Sequence, residues 1–178
     1  MVEILAKSSK ETMMKDEIKV LDVLGQHAKE SIDEIAKRCG VSRQKIWRII
    51  KRLEENKIIW GYSAITGENA RNLKHFIALL KKTPVPFDAD IRKEVIFDKL
   101  DNYSLGLVKI ENIYYTHGIA DMIFTFYAPD IVSAKRFVEQ TVGRFNKYVQ
   151  EYFLIETLFS IRKQGFKNPQ IKELIEYL

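Results

Sequence analysis

A chain of 178 residues with net charge +5, 46% hydrophobic and 30% charged, suits one folded domain or two small ones and excludes a fully disordered chain. Its longest apolar runs, such as Ile77 to Leu80, fall far short of the ~20 residues a membrane span needs. A single cysteine, Cys39, rules out an intramolecular disulfide and a Cys-based metal cluster, and it points to a reducing, cytoplasmic compartment.

The N-terminal stretch has neither a long apolar core nor a small-residue cleavage site and is not read as a secretory signal. Asp16 is placed to cap a first helix, with Ile18, Leu21 and Leu24 on one face. Ser31 and Glu34 form a capping-box pattern that opens a second helix, which Gly40 ends. Ser42 caps a third, whose stripe Ile46, Ile49, Ile50 and Leu53 follows i, i+3, i+4, i+7. The window from Ser42 to Lys57 holds six cations against Glu54 and Glu55, so it carries +4 of the total +5. Residues 57–66 read as a short β-ribbon around Gly61. Two helices joined across Gly40 and Val41, the second one basic, are the layout of a helix-turn-helix, and the ribbon makes it winged.

From residue 75 the period changes. Strand-like runs at 75–82, 105–118, 119–130 and 147–163 alternate with helical patterns at 88–102, where Ile91, Val95 and Leu100 share one side, and at 131–145, capped by Asp130. Ala120, Met122, Phe124 and Phe126 share one face of the third strand. A final helix is expected after Pro169. The order β-α-β-β-α-β is that of a ferredoxin-like domain, so the fold class is α+β. Two helices cover one sheet face. The other must find a partner, and the face around Met122, Phe124 and Phe126 is the one expected to meet a second subunit. The expected boundaries are a winged helix-turn-helix at 1–66, a linker at 67–74, a ferredoxin-like oligomerisation and effector domain at 75–165, and a C-terminal helix at 166–178.

Residues 31–66 resemble the DNA-binding half of the Lrp/AsnC (feast/famine) transcription regulators. The resemblance rests on Ile35-Ala36, Val41-Ser42, Arg48, Arg52-Leu53-Glu54 and Ile59-Trp60-Gly61-Tyr62, and downstream on element order and Gly118-Ile119-Ala120-Asp121. It covers roughly residues 16 to 165. Asn56-Lys57 stand where the family usually has a glycine, and Ala120 where it often has an aromatic residue. The resemblance implies a sequence-specific regulator bound to double-stranded DNA, a homodimer associating up to octamers, and an amino-acid effector.

On a helical wheel Arg43, Gln44, Trp47, Arg48 and Lys51 oppose the apolar stripe. Arg and Gln suit base edges in the major groove, and Lys and Arg suit phosphates. The expected DNA contacts are Ser42, Arg43, Gln44, Trp47, Arg48, Lys51 and Arg52. Trp60 reads as a packing residue between domains and Cys39 as an inert core residue. The Gly118–Asp121 turn is the effector candidate, with His117, Gly118, Ala120 and Asp121 as its residues. Glycine lets the backbone approach a carboxylate, and Asp121 suits an α-ammonium. The competing reading is a plain β-turn.

No metal site or cofactor is expected. There is no HExxH, no phosphate-binding glycine loop and no nucleophile elbow. An enzyme reading has no constellation behind it. Two alternatives share parts of this layout: a tetrapyrrole (haem-pathway) decarboxylase of the same architecture, and an effector-free architectural DNA-binding protein. The first needs no basic recognition helix.

Overall fold

Local capping chemistry sets the helix starts in the N-terminal half. In a computed structural model, which describes residues 2–67, 72–96 and 108–177, three helices open the chain: α1 (Val2–His27), α2 (Ile32–Cys39) and α3 (Arg43–Glu55). The Ser31 backbone N–H donates to the Glu34 carboxylate at 2.7 Å, and the Glu34 N–H donates to Ser31 Oγ at 3.3 Å. This reciprocal pair satisfies two donors that the first turn of a helix leaves free. Gly40 ends α2 at φ 66°, a left-handed conformation that glycine adopts without strain. Val41 N–H then donates back to the Ala36 carbonyl at 3.2 Å, and Ser42 Oγ receives the Lys45 N–H at 3.3 Å to start α3. The turn between α2 and α3 is therefore fixed by its own hydrogen bonds.

These helices bury one core. Ile35, Ala36 and Cys39 from α2 and Ile46, Ile49, Ile50 and Leu53 from α3 pack on Val20 and Leu24 of α1. Burial pushes the Cys39 thiol up, which keeps it protonated and inert.

Three expectations for this half are corrected. Helix α1 begins at Val2, so Asp16 lies inside it and pairs with Lys45 at 2.6 Å instead of capping. Among the residues of α1 whose burial is described, Val20 and Leu24 are buried, while Ile18 is exposed. The ribbon around Gly61 does not form: residues 58–67 carry no strand pairing. A tight hairpin needs positive φ at its turn, and Gly61 does not adopt it. Trp60 in this segment is 95% exposed. The segment is instead tied to α3 by Tyr62, whose hydroxyl donates to Glu54 at 2.9 Å. Burial, then that carboxylate, push the Tyr62 pKa up to about 12.

The second half is built on β1 (Lys74–Lys82), α4 (Ala89–Ile96), β2 (Lys109–Tyr115), β3 (Met122–Ala128), α5 (Ile131–Arg144) and β4 (Val149–Glu156). The four strands form an antiparallel sheet in the order β2-β3-β1-β4, the ferredoxin-like arrangement expected. Asp130 caps α5 by accepting the Ser133 N–H at 2.7 Å. Asp88 does the same ahead of α4, accepting the Ile91 N–H at 2.9 Å, and its other oxygen takes the Tyr148 hydroxyl. Leu100, expected on α4, and residues 105–107 of the second strand run lie outside the described residues. The last strand stops at Glu156, short of the expected 163. A turn at Gln164 and Gly165, with φ 44° and 89°, separates β5 (Arg162–Lys163) from β6 (Phe166–Lys167). The chain end is a 3-10 helix, Ile171–Tyr177, rather than an α-helix.

The sheet's two faces are assigned opposite to expectation. Phe124 and Phe126 are fully buried within the chain, in a core with Phe76, Ala78 and Leu80 of β1 and Phe137 of α5. The Phe126 and Phe137 rings lie 5.0 Å apart. Met122 packs against the same core. This face cannot meet a second subunit because α5 covers it. The other face bears Ile77, Leu79, Ile123, Phe153 and Ile155, with Phe153 52% and Ile155 45% exposed. The register aligns Tyr114, Ile123, Leu79 and Phe153 in one row across all four strands. The row at the far end is polar: His75 sits between Thr157 (2.7 Å) and the Glu111 carboxylate (3.1 Å), which also accepts from Thr125 and Tyr127.

The chain divides into two compact units, Met1–Ile65 with Gln164–Phe166, and Thr66–Lys163 with Lys167–Leu178.

Candidate nucleic-acid interface

Burying Ile46, Ile49, Ile50 and Leu53 leaves the opposite face of α3 in solvent. Arg43, Gln44, Trp47, Arg48 and Lys51 all stand exposed there. They follow two lines at i, i+4: Gln44 to Arg48, and Arg43 through Trp47 to Lys51. Arg43 and Asp33 approach at 3.3 Å with both side chains about two-thirds exposed, a weak surface pair that leaves the guanidinium available. Arg48 Nε donates to the Gln44 carbonyl at 3.4 Å. Lys51 Nζ lies 5.1 Å from the centre of the Trp47 ring and 3.8 Å from Glu55. The face is thus cationic, with one amide and one bare indole.

The remaining two expected contacts are placed differently. Ser42 spends its hydroxyl on the N-cap, so its part is to set where α3 begins. Arg52 is corrected. Its guanidinium is held by Glu17 of α1 at 2.8 Å, and it also reaches Met13 Sδ at 3.2 Å. It ties α3 to α1 from the inner side of the helix and does not join the exposed face.

The effector candidates occupy the turn between β2 and β3. Gly118 has φ 144° and stands exposed with His117. Asp121 is already engaged: its Oδ2 accepts the Lys82 backbone N–H at 2.8 Å and pairs with Lys81 Nζ at 3.3 Å. The Lys82 N–H, then Lys81, hold its carboxyl below the usual range. Lys81 Nζ also donates to the Gly118 carbonyl at 2.9 Å. Ala120 is buried and presents only its carbonyl, which accepts from Thr116 Oγ1 at 2.8 Å, so it lies behind the turn and not at its surface. A cavity of about 40 Å³, lined by Leu80, Phe87, Met122, Phe145 and Tyr148 together with Lys82 and Asp121, adjoins it. That space holds a few waters and not a whole amino acid. Among the described residues no group of His, Cys, Asp and Glu is arranged to hold a metal ion, and no helix is long and apolar enough to cross a membrane.

Residues 17–59 match a family described as winged helix-turn-helix DNA-binding. A transcriptional regulator from Neisseria meningitidis, solved as a complex with L-Met, superposes with TM-score 0.63 at 20% identity, covering 92% of this chain and 98% of that one. An AsnC family transcriptional regulator from Agrobacterium tumefaciens superposes with TM-score 0.64 at 18% identity, over 88% and 97%. The fold of this chain is similar to that of these regulators. The likeness takes in both halves, the three helices and the four-stranded sheet, since it covers 92% and 88% of this chain. A Bacillus subtilis HTH-type transcriptional regulator, YugG, is 22% identical over 134 residues, which are 75% of this chain and 78% of that protein.

Proposed function

We propose that the chain is a sequence-specific DNA-binding transcription regulator of the Lrp/AsnC type, acting in the cytoplasm as a dimer or larger assembly, and not an enzyme. The observation that carries this reading is the exposed face of α3. It gathers three cations and Gln44 on one helix, while the opposite face is locked into the core. A helix of this kind fits the major groove. Arg43, Gln44 and Arg48 reach base edges, and Lys51, farther along the helix, meets a phosphate. A tetrapyrrole enzyme has no use for such a face.

The uncovered sheet face gives the second part. A second copy covers Ile77, Leu79, Ile123, Phe153 and Ile155 by two-fold symmetry, since contiguous apolar surface of this kind is unusual on a monomer. The third part is an amino-acid effector at the β2–β3 turn. The L-Met complex of the Neisseria protein supports it, as do the exposed Gly118 and His117. An incoming α-ammonium competes with Lys81 for Asp121, and the released Lys81 is then free to meet the ligand's carboxylate.

Selection of bound sequences from a random DNA pool tests the reading. The expected outcome is a palindromic motif with half-sites about one helical turn apart. Gln44→Ala relaxes one position by ~1–3 kcal/mol. No enriched sequence, with equal binding to all DNA, overturns it.

A further inference from the structure

We propose that Trp47 and Ile32 form an apolar seat for the C5-methyl group of a thymine, so that each half-site requires a T·A pair at one fixed position. This rests on the DNA reading above and adds which base feature the helix selects.

An open groove of about 440 Å³ runs along α3, lined by Ile32, Arg43, Gln44, Trp47 and Arg48. Its polar members sit where DNA needs them. Its apolar members are Ile32, half-buried at the start of α2 where it packs against the helical core, and Trp47 of α3, which is 54% exposed and has no place in that core. Lys51 Nζ stands 5.1 Å from the ring centre and covers one face of the indole. That contact holds the ring in place, and the rest of the ring surface remains open to the groove.

The major-groove edges of the four base pairs consist of hydrogen-bond donors and acceptors, with one apolar exception, the thymine methyl. An indole offers a single N–H donor and a large apolar surface, so it matches that exception and little else. Gln44 lines the same groove, and its amide suits the N6 and N7 of adenine. A T·A pair satisfies both residues. The cations on either side, Arg43 and Arg48, make the groove attractive to the DNA polyanion and hostile to a basic peptide.

The test uses the full-length protein and its selected DNA, with each half-site thymine replaced in turn by deoxyuridine, which removes only the methyl. Burying one methyl is worth about 0.8 kcal/mol, so one position in each half-site should weaken binding about fourfold. In Trp47→Ala the same replacement should change affinity by less than about 1.5-fold, because the seat is gone. The exposed position of Trp47 means its melting temperature should stay at the wild-type value, which separates loss of contact from loss of fold. Deoxyuridine without effect at every thymine, or an equal loss in wild type and Trp47→Ala, overturns the proposal while leaving DNA binding intact; a tryptophan resting on backbone sugar gives the first of these results. Failure of the wild type to prefer any unmodified sequence overturns the DNA reading itself, and this proposal with it.

Discussion

Replacing Phe153 should split the assembly without unfolding the chain. Phe153 lies on the uncovered sheet face, 52% exposed, in the row with Leu79, Ile123 and Tyr114. A phenylalanine side chain buries about 150–250 Å² when fully enclosed, so roughly 100 Å² of it remains for a partner to cover. At about 25 cal/mol per Å² this is about 2.5 kcal/mol, of which alanine retains a small part. Two-fold symmetry places the residue twice in the interface. Phe153→Ala should therefore weaken the dimer by about 4 kcal/mol, close to a thousandfold in dissociation constant. Sedimentation velocity over a concentration series reads this directly. Val132→Ser is the control, since Val132 is an exposed apolar residue on α5, which packs on the other sheet face. A shift below tenfold for Phe153→Ala, or an equal shift for Val132→Ser, refutes the assignment of this face.

Other outcomes follow from the core, the caps and the carboxylates. Phe126→Ala, in contact with Phe137 inside the second core, should destabilise by about 3–5 kcal/mol in denaturant unfolding, and a loss below 1 kcal/mol would contradict its placement. Lys57 sits at φ 58°, in the left-handed region that costs a side-chain-bearing residue about 1–2 kcal/mol; glycine's greater chain entropy offsets ~0.5–1 of this. Lys57→Gly should be neutral to stabilising by up to about 1.5 kcal/mol, whereas Gly40→Ala, at φ 66°, should destabilise by about 1 kcal/mol; calorimetric melting showing the opposite signs would refute the helix-end geometry. The Tyr148 hydroxyl, the Lys82 N–H and the Ser133 N–H hold Asp88, Asp121 and Asp130 respectively below the usual carboxylate range. Groups depressed in the folded state contribute stability that is complete above their unfolded pKa, about 4, and is lost as pH falls through the folded values. Melting temperature should fall on acidification below about pH 4, and less steeply for Asp121→Asn; an identical pH profile for that variant would count against the Lys82 contact.

What the sequence made legible was what local chemistry decides. Ser31 with Glu34, Gly40, Ser42 and Asp130 act within three or four residues of themselves, and each does what its type and position imply. The stripe Ile46, Ile49, Ile50 and Leu53 is buried as spaced. The errors share a cause in distant partners. Asp16 looked like a cap because nothing local shows that α1 continues upstream of it or that Lys45 awaits it. Arg52 looked like one more surface cation, yet its carboxylate is Glu17, 35 positions back. Period-2 alternation gives a strand two faces without ranking them. On β1 both Phe76, Ala78, Leu80 and Ile77, Leu79 are apolar, so only the packing of α5 decides which set is enclosed. At the β2–β3 turn the sequence showed Gly118 and Asp121 but not Lys81 and Lys82, which the sheet register brings beside them.

The central claim, that the exposed face of α3 recognises DNA, is tested most directly by fluorescence anisotropy with the selected sequence and with random DNA of equal length. The variant combines Arg43→Ala, Gln44→Ala and Arg48→Ala, three exposed side chains outside the core. At about 1–3 kcal/mol for each base-reading residue, it should lose at least a hundredfold in affinity for the selected sequence and its preference over random DNA, with its melting temperature unchanged. Undiminished preference for the selected sequence in that variant would contradict the account.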